Sequence, residues 1–440
     1  MIELPETLNP FRKDYNIRIH VKMLSALPLG NVKSITAFHM LQESSSDKTK
    51  IIESSSGNTA ASLGVLGQYF GFNETQAYVS HEVSSGKLKM LQLFNVKPLV
   101  NKEPICPSEG DITNGIHKAR KKGLQSDWFN PDQYANPNNL DAHYQITGPQ
   151  IWDQAEGIID YFCTGLGTTG TMVGTSRFLK EQNPNVQIIG IVRSPNNPIP
   201  GPRTENLLED ISFPWNAHCD GLVEIGTVKA YEMSLKMIRL GLLAGPSSGM
   251  NLAGVQQFIQ TKIDQGDFQK NQQEMNFVLP CCDQPFPYMD DYFKILPKES
   301  FPAIENQHLL QFVENKIKAV KQKETVSISS MALAELTSNE EDKIVDIRSR
   351  QQFQHAHIPN AVNIPMDEFI SEIENYSEIY EGKKLYFVCD FGKKSAALCR
   401  IAAGRNFNAV SLEGGFSEWS ELDLPRIKDL SCTLRYGLSA

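Results

Sequence analysis

The sequence predicts an α/β protein of two domains joined by a helical linker. Up to residue 295, short apolar runs such as 187–192 alternate with amphipathic segments such as 171–180. That alternation is typical of parallel strands covered by helices on both faces. Residues 296–325 form a charged linker with one predicted helix at 309–323. Strand–helix alternation resumes over 326–428, and residues 429–440 are a predicted tail.

The composition is that of a globular protein without a basic surface. The 440 residues are 40% hydrophobic and 21% charged, with a formal net charge of -9. A nucleic-acid partner is not expected, because most such binders present a strongly basic surface. No apolar run approaches the roughly 18 residues that cross a bilayer, and the first residues lack the order of a signal peptide. Eight cysteines without a Cys-x-x-Cys pair favour reduced thiols, no metal site and a cytoplasmic location.

Three segments of the first domain each lead into a predicted helix. Gly30-Asn-Val-Lys33 places a lysine at the start of a helical pattern. Residues 54–60, Ser-Ser-Ser-Gly-Asn-Thr-Ala, follow a strand-like run, and the N–H groups of the next helix start suit a carboxylate. Residues 164–171, Thr-Gly-Leu-Gly-Thr-Thr-Gly-Thr, can form a nest of N–H groups that holds a phosphate. Alone, this third segment is equally consistent with a nucleotide loop or a tight strand–helix turn.

Together the segments resemble the fold type II pyridoxal-phosphate enzymes, in the cysteine synthase and cystathionine β-synthase branch, over about residues 5–295. The resemblance implies a tryptophan synthase β-like fold of two open twisted sheets with helices, and pyridoxal 5′-phosphate as the cofactor. It implies that Lys33 binds the cofactor's aldehyde and that Asn58 bonds its ring hydroxyl. It places the substrate carboxylate on Ser55, Ser56, Gly57, Asn58, Thr59 and Gln133, and the phosphate on Gly167, Thr168, Thr169, Gly170 and Thr171.

The segment Val278-Leu-Pro-Cys-Cys-Asp283 bears on the reaction type. The family has a serine against the pyridine nitrogen here, and Cys282 stands in its place. A thiol is a poor proton source, so the ring is expected to stay neutral, which favours β-elimination and β-replacement over transamination. A register shift of one residue would instead pair Asp283 with a pyridinium. Two buried cysteines that merely close a strand are the structural alternative.

The second domain resembles a complete rhodanese domain over about residues 325–428. A loop between a strand and a helix carries its expected reactive residues, Cys389, Asp390, Phe391, Gly392, Lys393, Lys394 and Ser395. Backbone donors and a helix N-terminus favour a thiolate or persulfide at Cys389, whereas Asp390 opposes it. Lys394 replaces an arginine of many relatives, so a single-point contact with an anion is expected. Asp346 and Arg348 are expected to brace the loop.

The main functional hypothesis is a bifunctional sulfur enzyme. The first domain would form cysteine, or a related β-substituted alanine, from an activated serine. Cys389 would accept sulfane sulfur from a donor or supply it to an acceptor. In a second hypothesis the first domain is a cysteine β-lyase or desulfhydrase that passes sulfur to the rhodanese domain. In a third, that domain is a non-catalytic regulatory module. The resemblance also implies a homodimer, and it leaves the leaving group, the nucleophile and the direction of reaction open.

Overall fold

The computed structural model describes residues 1–45, 47–55, 57–103, 108, 110–209, 211–306, 326–336, 342–405 and 407–428. The chain divides into two compact units, Met1–Pro302 and Ala303–Ala440. The predicted linker helix at 309–323, the tail at 429–440 and Ser56 lie outside the described residues. The domain boundaries at residues 295 and 325 stay predictions.

The first unit contains two sheets within its described residues. In chain order the strands are β1 Ile2–Glu3, β2 Ile17–Met23, β3 Lys50–Ser54, β4 Glu74–Ser80, β5 Val96–Asn101, β6 Trp128–Phe129, β7 Tyr161–Gly165, β8 Gln187–Arg193, β9 Gly221–Ile225 and β10 Met275–Cys281. One sheet has the order β1-β2-β10-β7-β8-β9, and the other has the order β5-β4-β3-β6. The pair of β1 with β2 is antiparallel, and the other pairs are parallel.

Helices and loops separate the parallel strands, as the sequence pattern predicts. The α-helices are Arg12–Tyr15, Lys33–Leu41, Asn58–Tyr69, Ser85–Leu93, Gly115–Gly123, Asn138–Ala142, Gly148–Gln154, Gly170–Gln182, Thr227–Arg239, Pro246–Asp264 and Met289–Ile295.

The position of strand β8 in the sheet explains why its sequence is a continuous apolar run. Ile189 and Ile191 pack in one buried cluster, whereas Ile188 and Val192 pack in another. Successive side chains of a strand point to opposite faces, so both faces of β8 are covered.

The carboxyl ends of three strands carry the segments singled out in the sequence. β3 ends at Ser54 and is followed by the helix Asn58–Tyr69. β7 ends at Gly165 and leads to the helix Gly170–Gln182. β10 lies beside β7 in parallel, with Phe277 opposite Tyr161, so Cys282 emerges at the same sheet edge as the loop after β7. Parallel strands bring their carboxyl ends, and hence these loops, to one edge.

The second unit is a smaller α/β layer structure. Its strands are β11 Ser327–Ile328, β12 Lys343–Asp346, β13 Ala356–His357, β14 Val362–Asn363, β15 Lys384–Val388, β16 Asn408–Leu412 and β17 Ile427–Lys428. A parallel sheet has the order β11-β16-β15-β12-β14, and β13 pairs with β17 in an antiparallel ladder. Its α-helices are Ser330–Leu336, Arg350–His355, Met366–Ser371, Ile373–Ile379, Lys393–Ala403 and Gly415–Glu421. Cys389 directly follows the central strand β15.

Among the described residues, none of the helices combines the length and the apolar character needed to cross a membrane.

Candidate active sites

The predicted residues of the first unit surround one cavity of about 1070 Å³, a volume that includes its open mouth. Those that line it are Lys33, Ser55, Gly57, Asn58, Thr59, Gln133, Gly167, Thr168, Thr169, Thr171 and Cys282. Gly170 is the first residue of the helix Gly170–Gln182, directly behind the lining threonines. The segments that the sequence singled out therefore meet at one place, although they come from both sheets.

Lys33 enters this cavity from the first turn of the helix Lys33–Leu41. Its side chain is half-buried, and burial lowers the pKa of its amine, while the nearby Cys282 acts in the opposite direction. A helix N-terminus also disfavours a positive charge. A lysine with a lowered pKa has a larger fraction of neutral amine, which is the form that adds to a carbonyl group.

The loop after β7 presents hydroxyl groups at a helix N-terminus. Thr169 precedes the helix with a φ of 67°, and its Oγ1 is buried without a hydrogen-bond partner among the described residues. Asn139 Nδ2 donates to Thr168 Oγ1 at 3.0 Å. His143 Nε2 lies 3.1 Å from Thr171 Oγ1, and burial lowers the pKa of His143 to about 3, so the imidazole is neutral. An unpaired hydroxyl together with open N–H groups fits a phosphate.

Gln133 supports the loop after β3 through hydrogen bonds. Thr59 Oγ1 donates to Gln133 Oε1 at 2.8 Å, and Gln133 Nε2 donates to Ser54 O at 2.8 Å. Glu53 accepts from the backbone N–H groups of Ser54 at 2.8 Å and Gln133 at 3.2 Å. Burial raises the pKa of Glu53 to about 8. Both ends of the Gln133 amide are thus used within the protein, and its predicted contact with a substrate carboxylate stays a prediction.

Cys282 and Asp283 both line the cavity, but they face different groups. Cys282 Sγ lies 3.7 Å from Asn251 Nδ2, and burial raises the pKa of this thiol to about 12. Asp283 Oδ2 accepts a hydrogen bond from Asn58 Nδ2 at 2.6 Å and another from the hydroxyl of Tyr288. Burial raises the pKa of Asp283, and these two hydrogen bonds and the charge of Lys87 act against that rise.

Three further side chains contribute to the cavity and were missed in the sequence. Asn139 holds Thr168, Tyr288 holds Asp283, and Lys87 lies 4.8 Å from the centre of the Tyr288 ring. Lys87 and Tyr288 line the cavity directly. Lys87 follows Ser84-Ser-Gly86 at the start of the helix Ser85–Leu93, a signal of the same kind as that around Lys33. No local pattern distinguishes Asn139 and Tyr288 from surface residues.

The second unit has its own cavity, of about 1030 Å³ including open space, around the predicted rhodanese loop. Cys389, Asp390 and Lys394 line it. The Cys389 side chain is buried, and Ser395 N donates to its Sγ at 3.3 Å, with Ser395 Oγ at the same distance. Gly392, with a φ of 75°, lets the loop curl back toward the sulfur. Phe391 is exposed, and Lys393 begins the following helix.

A buried ion pair supports this second cavity. Arg348 donates to Asp346 through Nε at 3.0 Å and through Nη2 at 2.6 Å, and Nη2 also donates to Ala356 O. The Arg348 guanidinium stacks 3.8 Å from the centre of the Phe416 ring. The pair joins the end of β12 to Ala356 and the Phe416 ring, and its predicted bracing of the loop that carries Cys389 stays a prediction.

Comparisons with known proteins agree with this geometry. Residues 5–270 match the family model described as pyridoxal-phosphate dependent enzyme, and residues 330–422 match that of the rhodanese-like domain. The chain therefore belongs to the pyridoxal-phosphate-dependent enzymes and carries a rhodanese-like domain. Cysteine synthase B of Pseudomonas aeruginosa is 32% identical over 244 residues, which cover 53% of this chain and 79% of that relative. Within the class, the protein is a member of the cysteine synthase family, and its cofactor is pyridoxal 5′-phosphate.

Solved structures confirm the predicted fold class. A hydrogen sulfide-producing enzyme from Fusobacterium nucleatum superposes with a TM-score of 0.55 at 21% identity, covering 62% of this chain and 92% of the other. An O-acetylserine dependent cystathionine beta-synthase from Helicobacter pylori gives 0.53 at 24%, covering 66% and 93%. The first unit thus has the fold type II architecture of the family.

Proposed function

We propose that the first unit catalyses β-replacement, forming cysteine or a related β-substituted alanine from an activated serine. The proposal depends on one observation: Lys33 and Cys282 line the same cavity. Burial lowers the pKa of the Lys33 amine, and burial keeps the Cys282 thiol protonated. When bound, pyridoxal phosphate supplies the electron sink for loss of the proton from Cα. A neutral ring is a weaker sink, and weak sinks favour departure of a β-substituent over transamination.

Different residues of the chain would bind the phosphate, orient the substrate and transfer the Cα proton. Thr168, Thr169 and Thr171, with the helix start at Gly170, would hold the phosphate. Residues 55–59 would orient the substrate carboxylate. Lys33 would first bind the cofactor and then, as a neutral amine, take the Cα proton and return it. That task requires an amine whose pKa is nearer neutrality than that of an exposed lysine.

For the second unit we propose sulfur transfer through Cys389. Its sulfur receives a hydrogen bond from Ser395 N and lies at the start of the helix Lys393–Ala403, and both features stabilise a negative charge on sulfur. The domain arrangement of this proposal is residues 1–295 for the first activity and 326–428 for the second. A homodimer and a cytoplasmic location are further parts of the proposal.

A second candidate for the first unit is cysteine desulfhydration, with release of sulfide or persulfide. Cys389 would accept the outer sulfur of a released persulfide, with the remaining thiolate as the leaving group, because sulfide itself would need an oxidant to form a persulfide. This candidate draws support from the rhodanese-like loop with its buried cysteine in the same chain. It also draws support from the fold shared with a hydrogen sulfide-producing enzyme. The non-catalytic alternative, a regulatory rhodanese-like module, predicts that Cys389 takes up no sulfur.

One experiment separates the two directions of reaction. The purified protein with pyridoxal phosphate is mixed with O-acetylserine, O-phosphoserine or serine plus sulfide, and in parallel with cysteine alone. Cysteine formation from an activated serine supports β-replacement, whereas sulfide release from cysteine supports desulfhydration. Neither product from any of these compounds would contradict both.

The role of Cys389 is tested separately with the Cys389→Ser variant. With a sulfane-sulfur donor, the wild-type protein should gain one sulfur atom on Cys389, detected as a mass increase that a thiol reductant removes. The buried Cys399 serves as the matched control, because Cys399→Ser should leave the mass increase unchanged. An increase that persists in Cys389→Ser would contradict the assignment.

A further inference from the structure

A buried carboxylate, Asp283, lies in the wall of the cofactor cavity beside Asn58. Its side chain is only 3% exposed. Oδ2 accepts hydrogen bonds from both Asn58 and Tyr288, whereas Oδ1 has no hydrogen-bond partner among the described residues. Burying a carboxylate costs free energy unless hydrogen bonds or an opposite charge compensate for the lost water. The partners of this group therefore indicate its role.

The carboxylate of Asp283 determines the orientation of the Asn58 side-chain amide. The 2.6 Å contact is made by the NH₂ end of Asn58, which is the end that an ionised carboxylate requires, since it only accepts hydrogen bonds. That nitrogen carries two hydrogens, and Asp283 uses one of them. The second remains available to the cavity that Asn58 lines. Without the carboxylate, the amide could turn and present its oxygen instead.

Three contacts keep Asp283 itself in place. The hydroxyl of Tyr288 donates to the same oxygen that accepts from Asn58. The backbone of Asp283 forms an isolated antiparallel bridge with Asn31, two residues before Lys33. Oδ1 packs against Gly245, where an added Cβ would lie only 2.2 Å from it. Gly245 is the N-cap of the helix Pro246–Asp264, and a helix N-terminus favours a negative charge.

We propose that Asp283, supported by Tyr288, is a positioning residue that holds the Asn58 amide with an N–H directed into the cofactor cavity. The proposal rests on the proposed contact of Asn58 with the cofactor's ring hydroxyl. That oxygen is an acceptor when it is ionised, so the N–H end of the amide binds it and the carbonyl end repels it. Asp283 acts through Asn58, because Oδ2 already has two donors and Oδ1 packs against Gly245.

The test is a double-mutant cycle on the whole protein with pyridoxal phosphate. The variants are Asn58→Ala, Asp283→Ala and the combination, and the readouts are the dissociation constant of the cofactor and the absorbance band of the bound cofactor. A hydrogen bond to a charged group predicts that each single change weakens binding about tenfold or more. Because the two residues act as one unit, the combination should weaken binding no more than Asn58→Ala alone.

Two further variants keep the test decisive if Asp283→Ala fails to fold. Asp283→Asn retains an acceptor oxygen and should restore part of the wild-type absorbance band, and Tyr288→Phe should shift that band in the same direction as Asp283→Ala. Asp290→Asn is the matched control, since Asp290 is exposed and lies outside the cavity wall, and it should leave both readouts unchanged.

Different results overturn different claims. Additive losses in the cycle, or a melting temperature that falls in Asp283→Asn and Tyr288→Phe while the absorbance band stays unchanged, would reduce Asp283 to a structural residue. The proposed β-replacement could still stand in that case. If Asn58→Ala left the dissociation constant and the absorbance band of the cofactor unchanged, the positioning inference would be wrong and the proposed function could still stand. If it bound no pyridoxal phosphate, the proposed function would fall and the inference with it.

Discussion

Replacing Gly170 with alanine should damage the proposed phosphate-binding loop, residues 167–171, through its contact with Asn139. An ideal Cβ at position 170 would lie 2.4 Å from Asn139 Oδ1 and 2.7 Å from Asn139 Cγ. Asn139 cannot yield easily, because it is 1% exposed and its Nδ2 donates to both Gln133 O at 2.6 Å and Thr168 Oγ1 at 3.0 Å. Gly170 lacks the positive φ that by itself would exclude alanine, so the collision is the dominant effect.

The magnitude follows from the two hydrogen bonds that Asn139 would lose. At about 1 kcal/mol each, their loss lowers the free energy of unfolding by about 2 kcal/mol. Alanine is favoured over glycine within a helix by up to about 1 kcal/mol, which offsets part of this loss. A net loss of about 1 kcal/mol or more therefore remains. Because Thr168 would lose its hydrogen bond from Asn139, cofactor affinity should fall about tenfold as well.

The assay is titration of the apoenzyme with pyridoxal phosphate, combined with denaturant unfolding. Gly221→Ala is the control, because an added Cβ there meets Ile189 at an ordinary 3.5 Å. The control should bind the cofactor like the wild-type protein. Wild-type affinity in Gly170→Ala, with a stability equal to that of the control, would refute both the tightness of the contact and the role of this loop.

Three further predictions concern both units. Asp346→Asn leaves the buried Arg348 charge uncompensated and should destabilise the second unit by about 3–5 kcal/mol in thermal unfolding, and an unchanged transition would contradict this. Ser395→Ala removes a hydroxyl 3.3 Å from Cys389 Sγ and should slow alkylation of that thiol severalfold at neutral pH, whereas an equal rate would exclude a role for the hydroxyl. The raised pKa of Glu53, about 8, means that the folded protein keeps a proton that the unfolded chain loses above about pH 4.5. The free energy of unfolding should therefore fall with rising pH across that window by up to about 1.4 kcal/mol per pH unit, and Glu53→Gln should flatten the slope.

Much of the candidate site could be predicted because its main segments are local. Lys33, residues 57–59 and residues 167–171 each sit at a helix start, where small residues, glycine and hydroxyl groups are recognisable in a short stretch of sequence. The helix boundaries followed from the same signals. The helix predicted at 171–180 spans Gly170–Gln182 in the structure.

The contacts that could not be predicted join residues far apart in the chain. Asn58 and Asp283 are 225 positions apart, and Asn139 reaches Thr168 across 29 positions. Such contacts depend on how two sheets pack, and no periodicity in the sequence reports that packing. Tyr288 lies in a short 3-10 turn between β10 and the helix Met289–Ile295, where neither its burial nor its partner could be inferred.

The end of strand β10 gives Cys282 and Asp283 different surroundings, and which of them faces the pyridine nitrogen stays a prediction. Cys281 is the last residue of β10, and its sulfur lies 3.3 Å from Ser25 Oγ in the core. Successive side chains alternate, so Cys282 faces the other way, into the cavity. Asp283 lies beyond the strand and is held by Asn58 and Tyr288. With a pKa of about 12, the Cys282 thiol stays protonated at neutral pH and offers only a weak donor, so a ring nitrogen beside it would remain neutral.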